Sequence, residues 1–305
     1  MDEAIETIRR FNRFYTRFTG VLNARFLGSD LSLAEARILF EIIHGDAPLA
    51  SDLQARLGMD AGFVSRVLSR FEARGWLVRT RSSEDARQRA IAVTPAGRAI
   101  FRQIDERQHD AVVATLNRLG PTDRDDLVSA LRLAQTLLEP QPDRAFTIRT
   151  FRTGDMGMIA ARQSILYREV YDWGPQIEVI AGEVTTNFIR DFKPGREQCW
   201  IAEVNGVMAG SVFLTDEGDG ISRLRLLYVE PFARGLGIGN ALVETCLRFA
   251  REVGYSTMTL WTHTILASAR RIYAAHGFEC VESHFHSDFG ARLRSETWEI
   301  DLRRT

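Results

Sequence analysis

The sequence predicts two domains in one chain, a mainly-α domain followed by an α/β domain whose mixed central sheet is flanked by helices. Three observations predict it. The 305 residues are long for one domain and comfortable for two, and 45% hydrophobic residues suffice for two cores. "EPQPDRAF" (139–146) interrupts the chain with two prolines and charges. Before it helical periodicities dominate, and after it short β-rich runs alternate with helical segments. The assignment is residues 1–140, a joint at 141–145, and residues 146–305.

The totals narrow the class. No run approaches the roughly 18 apolar residues of a membrane span, so no membrane partner is expected. "MDEAIETIRRFNRFYTRF" is charged from its second residue, unlike a secretory leader. Cys199, Cys246 and Cys280 are odd in number and far apart, which suits neither a disulfide framework nor a Cys-rich metal site and points to a reducing cytoplasm. Lys193 is the only lysine among 39 basic residues, a bias that GC-rich coding explains more simply than selection against acylatable amines.

In the first domain, residues 3–27 and 98–138 carry helical apolar stripes, and "LSLAEARILFEIIHG" (31–45) is an amphipathic helix. Residues 49–77 give a short helix, a turn at Gly58, and a second helix stopped by Gly75. Leu53, Leu57, Val64, Val67, Leu68 and Phe71 face inward, which is a helix-turn-helix pattern. The polar side of the second helix carries Ser65, Arg66, Ser69, Arg70 and Arg74. A hairpin follows, "WLVRTR" to "AIAVT", and Thr94–Pro95 is a good helix start. Residues 66–89 hold seven arginines against three acids, the footprint of a phosphate-binding surface in a chain of net charge −1. "DARQRAIAVTPAG" (85–97) resembles the wing signature of MarR-type winged-helix regulators, with Asp85, Arg87, Val93, Thr94 and Gly97 matching. The resemblance implies that Asp85 steadies the wing, Arg87 enters a minor groove, and the helix ahead reads the major groove of operator double-stranded DNA. It also implies a homodimer joined through the first and last helices.

In the second domain, "SRLRLLYVEP" is a strand stopped by Pro231, "FARGLGIG" turns the chain, and "NALVETCLRFAREVG" is a helix ended by Gly254. Free amides at a helix start, the helix dipole and Arg234 together predict a diphosphate site. Gly235, Gly237 and Gly239 do not fit the dinucleotide GxGxxG spacing, and a P-loop lysine is missing. "VEPFARGLGIG" resembles the coenzyme A loop of the GNAT superfamily of N-acetyltransferases, matched by Arg234, Gly237 and Gly239. "LASARRIYAAHGF" (266–278) resembles that family's next helix, with Ala269, Tyr273, Gly277 and Phe278 in place and Leu266 where an Asn is usual. The resemblance spans about residues 146–302 and implies a GNAT fold.

The resemblance also implies acetyl-CoA as cosubstrate. It would lie against Leu227, Tyr228 and Val229 on the strand, Arg234, Gly235, Leu236 and Gly237 in the loop, and Ile238, Gly239 and Asn240 opening the helix. Tyr273, beside the thioester, is the implied proton donor to the departing thiolate. Arg223 stands where many members have a basic Glu, so Glu230 or a water chain is left as the base. Tyr167, Tyr171, Trp173, His284 and His286 are the candidate acceptor-pocket residues, with Glu169, Asp172 and Glu178 suited to a small cationic amine. His284 and His286 lack a third ligand, so no metal is expected. The reading is a bifunctional, dimeric regulator and N-acetyltransferase that acylates a small amine in a ternary complex. Its rivals are a repressor whose second domain only senses acyl-CoA, an acetyltransferase of a protein acceptor, and an enzyme whose winged helix serves only dimerisation.

Overall fold

The computed structural model describes residues 1–23, 25–45, 49–81, 89–139, 145–290 and 292–303. They form two compact units, Met1–Arg124 and Asp125–Thr305. The joint expected at 141–145 falls almost wholly outside the described residues.

The first unit contains α1 (Asp2–Phe18), α2 (Leu33–His44), α3 (Ala50–Leu57), α4 (Ala61–Ala73), the strands β1 (Leu77–Arg81) and β2 (Arg89–Val93), and α5 (Pro95–Leu116). Helix α6 (Pro121–Leu138) carries the division between the units. Local chemistry starts α2, α4 and α5. The Ser32 hydroxyl accepts the Glu35 amide, and the Glu35 carboxylate accepts the Ser32 amide, closing a capping box on α2. Asp60 Oδ1 accepts the Phe63 amide at 2.9 Å at the head of α4. Thr94 caps α5 ahead of Pro95 while its hydroxyl donates to the Gly75 carbonyl at 2.6 Å. Gly97 is required sterically, since a Cβ there would lie 2.1 Å from the Trp76 carbonyl oxygen. The core is Ile38, Leu39, Leu53, Val64, Leu68, Phe71, Leu77 and Ile91, so the inward positions of the helix-turn-helix pattern are buried except Leu57, which is half-buried against them. Strands β1 and β2 pair antiparallel from Leu77 opposite Val93 to Arg81 opposite Arg89. The segment joining them, with Asp85 and Arg87, lies outside the described residues.

The second unit runs β3 (Phe146–Thr150), α7 (Asp155–Tyr171), α8 (Gln176–Arg190), β4 (Gln198–Val204), β5 (Val207–Gly218), β6 (Ile221–Val229), α9 (Ile238–Val253), β7 (Thr257–His263), α10 (Ala267–Ala275), β8 (Glu279–His286) and β9 (Leu293–Asp301). Seven strands form one sheet in the order β3-β4-β5-β6-β7-β9-β8. All neighbours are antiparallel except β6 and β7. Both faces are covered. Cys199, Ile201 and Phe213 pack with Ile159, Leu166 and Phe188 of α7 and α8. The alternate residues Trp200, Ala202, Val212 and Leu214 pack with Leu242, Val243, Cys246, Leu247 and Ala250 of α9. Burial on both faces explains why these strands read as continuous apolar runs.

Two irregularities open the sheet at one place. The β5–β6 register shifts after Ser211, and Leu226 takes a left-handed φ of 46°. Parallel pairing of β6 with β7 stops at Leu224 opposite Leu260, although β6 continues to Val229 and β7 to His263. The two strands therefore part in the middle of the sheet, and their diverging ends frame the site. No helix among the described residues is long and apolar enough to cross a membrane.

Candidate functional site

The chain leaves β6 through a short 3₁₀ turn, Pro231–Ala233, and enters α9 through Gly235 and Gly237 at φ of 87° and 81°. Only glycine adopts that conformation without strain, so these two glycines turn the chain. The first internal bond of α9 runs from the Ala241 amide to the Gly237 carbonyl at 3.1 Å. The amides of Ile238, Gly239 and Asn240 thus have no helical acceptor. Gly239 serves packing instead. A Cβ there would meet Ile272 Cδ1 at 2.7 Å, so the glycine admits α10 against α9.

A cavity of about 440 Å³ lies over this helix start. It is lined by Leu227, Tyr228, Val229, Arg234, Gly235, Gly237, Ile238, Gly239 and Asn240, all but two of the expected cofactor residues, with Tyr167 and Tyr171 from α7. Leu236 is not among them; it packs on the hydrophobic core beneath α9. Tyr273, expected beside the thioester, lines the neighbouring cavity instead. Free amides, a helix dipole and an arginine in one cavity lining fit a bound diphosphate.

The second cavity, of about 460 Å³, shares Gln163, Tyr167, Leu227, Leu266 and Ala269 with the first, so the two meet at β6. Its walls are apolar and aromatic. The Trp173 ring stacks between Tyr167 and Phe289, with centroids 4.8 and 4.2 Å away. Its charged lining is Arg223 and Arg225, both held by Glu217 at 3.6 and 3.3 Å. Glu169, Asp172 and Glu178 line neither cavity, which corrects the expectation of a carboxylate-lined pocket. Three buried polar atoms on the wall, Gln163 Oε1, Trp173 Nε1 and Thr262 Oγ1, have no hydrogen-bond partner among the described residues.

Tyr273 is buried, and burial pushes its phenol upward, so the proton stays on oxygen at neutral pH. Glu230 differs from expectation. It is 4% exposed and lines neither cavity, and both its oxygens accept from Arg162 of α7 at 2.8 and 2.9 Å. A carboxylate clamped on both oxygens by a guanidinium holds α7 to the end of β6 and is poorly placed as a base. His284 lies on β8, lines the second cavity and shares a hydrogen bond with Ser295 Oγ at 3.0 Å. His286 lines neither cavity, but its Nε2 is 2.8 Å from Nε2 of His263, which does. Sequence reasoning missed His263. Its only signal is the polar end of "TMTLWTH", and the partner that gives it meaning is 23 residues away.

On the first unit, Ser65, Arg66, Ser69, Arg70 and Arg74 are all exposed on one side of α4 and its C-cap. Their partners differ. Arg70 is ion-paired with Glu35 of α2, and Arg74 lies 4.9 Å from the centroid of the Trp76 ring. Ser69 accepts from Arg79, which is itself paired with Glu72. Arg66 has no ion pair among the described residues.

A helix-turn-helix with a strand hairpin is followed by a sheet that parts over a helix start with free amides, the arrangement of a DNA-binding module joined to an α/β domain. Residues 29–88 match the model of the MarR family, and residues 165–278 match that of the acetyltransferase (GNAT) family. The chain carries a MarR-family winged helix-turn-helix region and a GNAT-family acetyltransferase domain. It is 34% identical to N-acetyltransferase 8 of Rattus norvegicus over 125 residues, 39% of this chain and 52% of the relative. It is 37% identical to an uncharacterized N-acetyltransferase of Schizosaccharomyces pombe over 70 residues, 23% of this chain and 43% of the relative. The chain thus spans about half the length of the curated relatives it matches. A solved acetyltransferase of Salmonella typhimurium, described with its cofactor acetyl-CoA, is 20% identical over 53% of this chain and 96% of its own, with a TM-score of 0.43.

Proposed function

We propose that the protein is an acetyl-CoA-dependent N-acetyltransferase of a small amine and a dimeric, operator-binding transcriptional regulator. The observation that carries the enzyme reading is the meeting of the two cavities at Leu227, where β6 has parted from β7. A donor held at the α9 start reaches there from one side and an acceptor from the other. Acetyl-CoA supplies the activated acyl group. The β6 amides beyond Leu224 have no ladder partner on the β7 side, so they can donate to a developing oxyanion near Val229. Tyr273 keeps its proton for the leaving sulfur.

The second cavity also points to an acceptor class. Aromatic walls and two arginines suit an amine with an aromatic or aliphatic body, and they disfavour a polycation. The Trp173 N–H and Thr262 hydroxyl, without partners among the described residues, add donors for an oxygen on that acceptor, and Gln163 Oε1 adds an acceptor for its amine. Release of CoA thiol should therefore appear with aralkylamines or aromatic amino acids, and not with polyamines or aminoglycosides. Preference for a polyamine would overturn the acceptor class. Silence across such a panel with acetyl-CoA still binding would favour an acyl-CoA sensor.

For the regulator, the supporting features are the exposed polar face of α4 and the aromatic face of α1. Helix α1 buries none of its residues and exposes Ile8, Phe11, Phe14 and Phe18, which suits a partner copy. Arg66→Ala should weaken duplex binding and lower the salt slope by about 1, the signature of one lost phosphate contact. An unchanged slope and affinity would exclude Arg66 from the DNA face.

A further inference from the structure

With Glu230 clamped by Arg162, the transferase site still needs a group that takes the proton of the attacking amine. We propose that His263 is that group, and that His286 and Asp288 carry the proton from it to solvent. The proposal rests on the transferase reading above and adds the base to it.

Placement comes first. His263 ends β7 at the mouth between the parted strands, lines the second cavity and is 2% exposed. Its ring is fixed edge-on to Trp173 at 4.9 Å and to Trp261 at 4.4 Å. His263 Nε2 lies 2.8 Å from Nε2 of His286, and His286 Nδ1 lies 3.1 Å from Asp288 Oδ2. The Asp288 side chain is 66% exposed, so the chain of groups starts in the acceptor cavity and ends in water. A buried histidine needs one partner to fix its tautomer. A second imidazole backed by a carboxylate on the surface is a conductor as well.

Charge supports the direction of transfer. Burial holds His263 down to about 4, so its ring is neutral and has a lone pair at neutral pH. The groups around it are His284 and His286 on β8, Asp288 beyond it, Arg223 and Arg225 on β6, Tyr167 on α7 and Tyr273 on α10. Asp288 is the carboxylate among them, and it sits at the far end of the row, so the charge around His263 draws a proton outward. In the step, the acceptor ammonium gives one proton to Nδ1 of His263 while Nε2–H of His263 passes to Nε2 of His286. The step uses the tautomer protonated at His263 Nε2 and His286 Nδ1, in which the Nδ1 proton leaves to Asp288 Oδ2 at 3.1 Å; in the other tautomer that nitrogen accepts from the Asp288 amide at 3.3 Å. The freed amine lone pair forms the C–N bond at the thioester carbonyl, and the C–S bond breaks with its electrons on sulfur. Tyr273 gives its phenol proton to that sulfur and is reprotonated by the second nitrogen proton, so each turnover yields the amide, a thiol and one proton in solvent.

The test uses the full-length protein with an acceptor from the panel. His263→Gln should lower kcat about 100-fold, the usual range for a lost general base, with acetyl-CoA affinity unchanged. His286→Ala should lower kcat less, by about tenfold, and raise the apparent pKa of the acid limb. Imidazole nitrogen NMR of the unliganded protein gives a readout independent of turnover. His263 should stay neutral at pH 6 and its ring signals should move in His286→Ala. Near-wild-type kcat in His263→Gln, or His263 signals indifferent to His286→Ala, would overturn the relay while leaving the transferase reading intact. No wild-type turnover despite bound acetyl-CoA would overturn the transferase reading, and the relay with it.

Discussion

Gly237→Val is expected to abolish measurable acetyl-CoA binding and to leave duplex binding by the first unit untouched. Gly237 is the N-cap of α9 at φ 81°, and it lines the first cavity. A branched residue there incurs the left-handed penalty, about 1–2 kcal/mol or more. An added Cβ meets no atom within 4 Å, so the fold has room for the side chain and the only space it can occupy is the cavity or solvent. Relief of the strain would tilt the first turn and misdirect the amides of Ile238, Gly239 and Asn240. Both routes act on the same ligand, and a loss beyond 100-fold, about 2.7 kcal/mol, is expected by calorimetry. Gly235→Ala brings the same left-handed strain at φ 87° with only a methyl group added to the lining, and should cost about tenfold. Binding within threefold of wild type in Gly237→Val would show that the helix start does not hold the diphosphate.

Much of this was legible in the sequence, for physical reasons that differ by element. The helix-turn-helix was legible because its inward positions repeat at helical spacing and its turns carry Gly58 and Gly75, both left-handed in the structure. The glycine loop was legible because a strand, a left-handed turn and a helix start are consecutive in the chain. The roles of its glycines were not equally so. Gly239 reads as part of the cradle, yet its contact is Ile272, 33 positions onward. Strand β8 was hidden because "ESHFHSDFG" is polar and β8 is a sheet edge, whose exposed positions carry no apolar alternation. Glu230 misled because a carboxylate beside a reaction strand reads as a base until its partner is known, and Arg162 is 68 residues away. His263 failed for the same reason in reverse. Chemistry made by two distant side chains leaves no local pattern.

The second unit should lose stability on mild acidification, and His263 should account for most of that loss. In the folded protein burial holds this ring at about 4, against an ordinary 6.5. Between those values the unfolded chain binds a proton that the folded one does not, so unfolding becomes easier as pH falls from 6.5 toward 4. Above 6.5 both states are neutral and the effect vanishes. A shift of that size corresponds to about 2–3 kcal/mol across the window. Denaturant unfolding followed by tryptophan fluorescence at pH 7 and pH 4.5 measures it. Trp173, Trp200, Trp261 and Trp298 lie in the second unit against Trp76 in the first, so the signal reports mainly the unit that contains His263. His263→Gln removes the titrating ring and keeps a side chain able to donate to His286. The variant should lose about 2 kcal/mol less than wild type on going to pH 4.5. If the two proteins lose stability equally, the acid-sensitive group is another one, and His263 is solvated enough to accept a proton without cost to the fold.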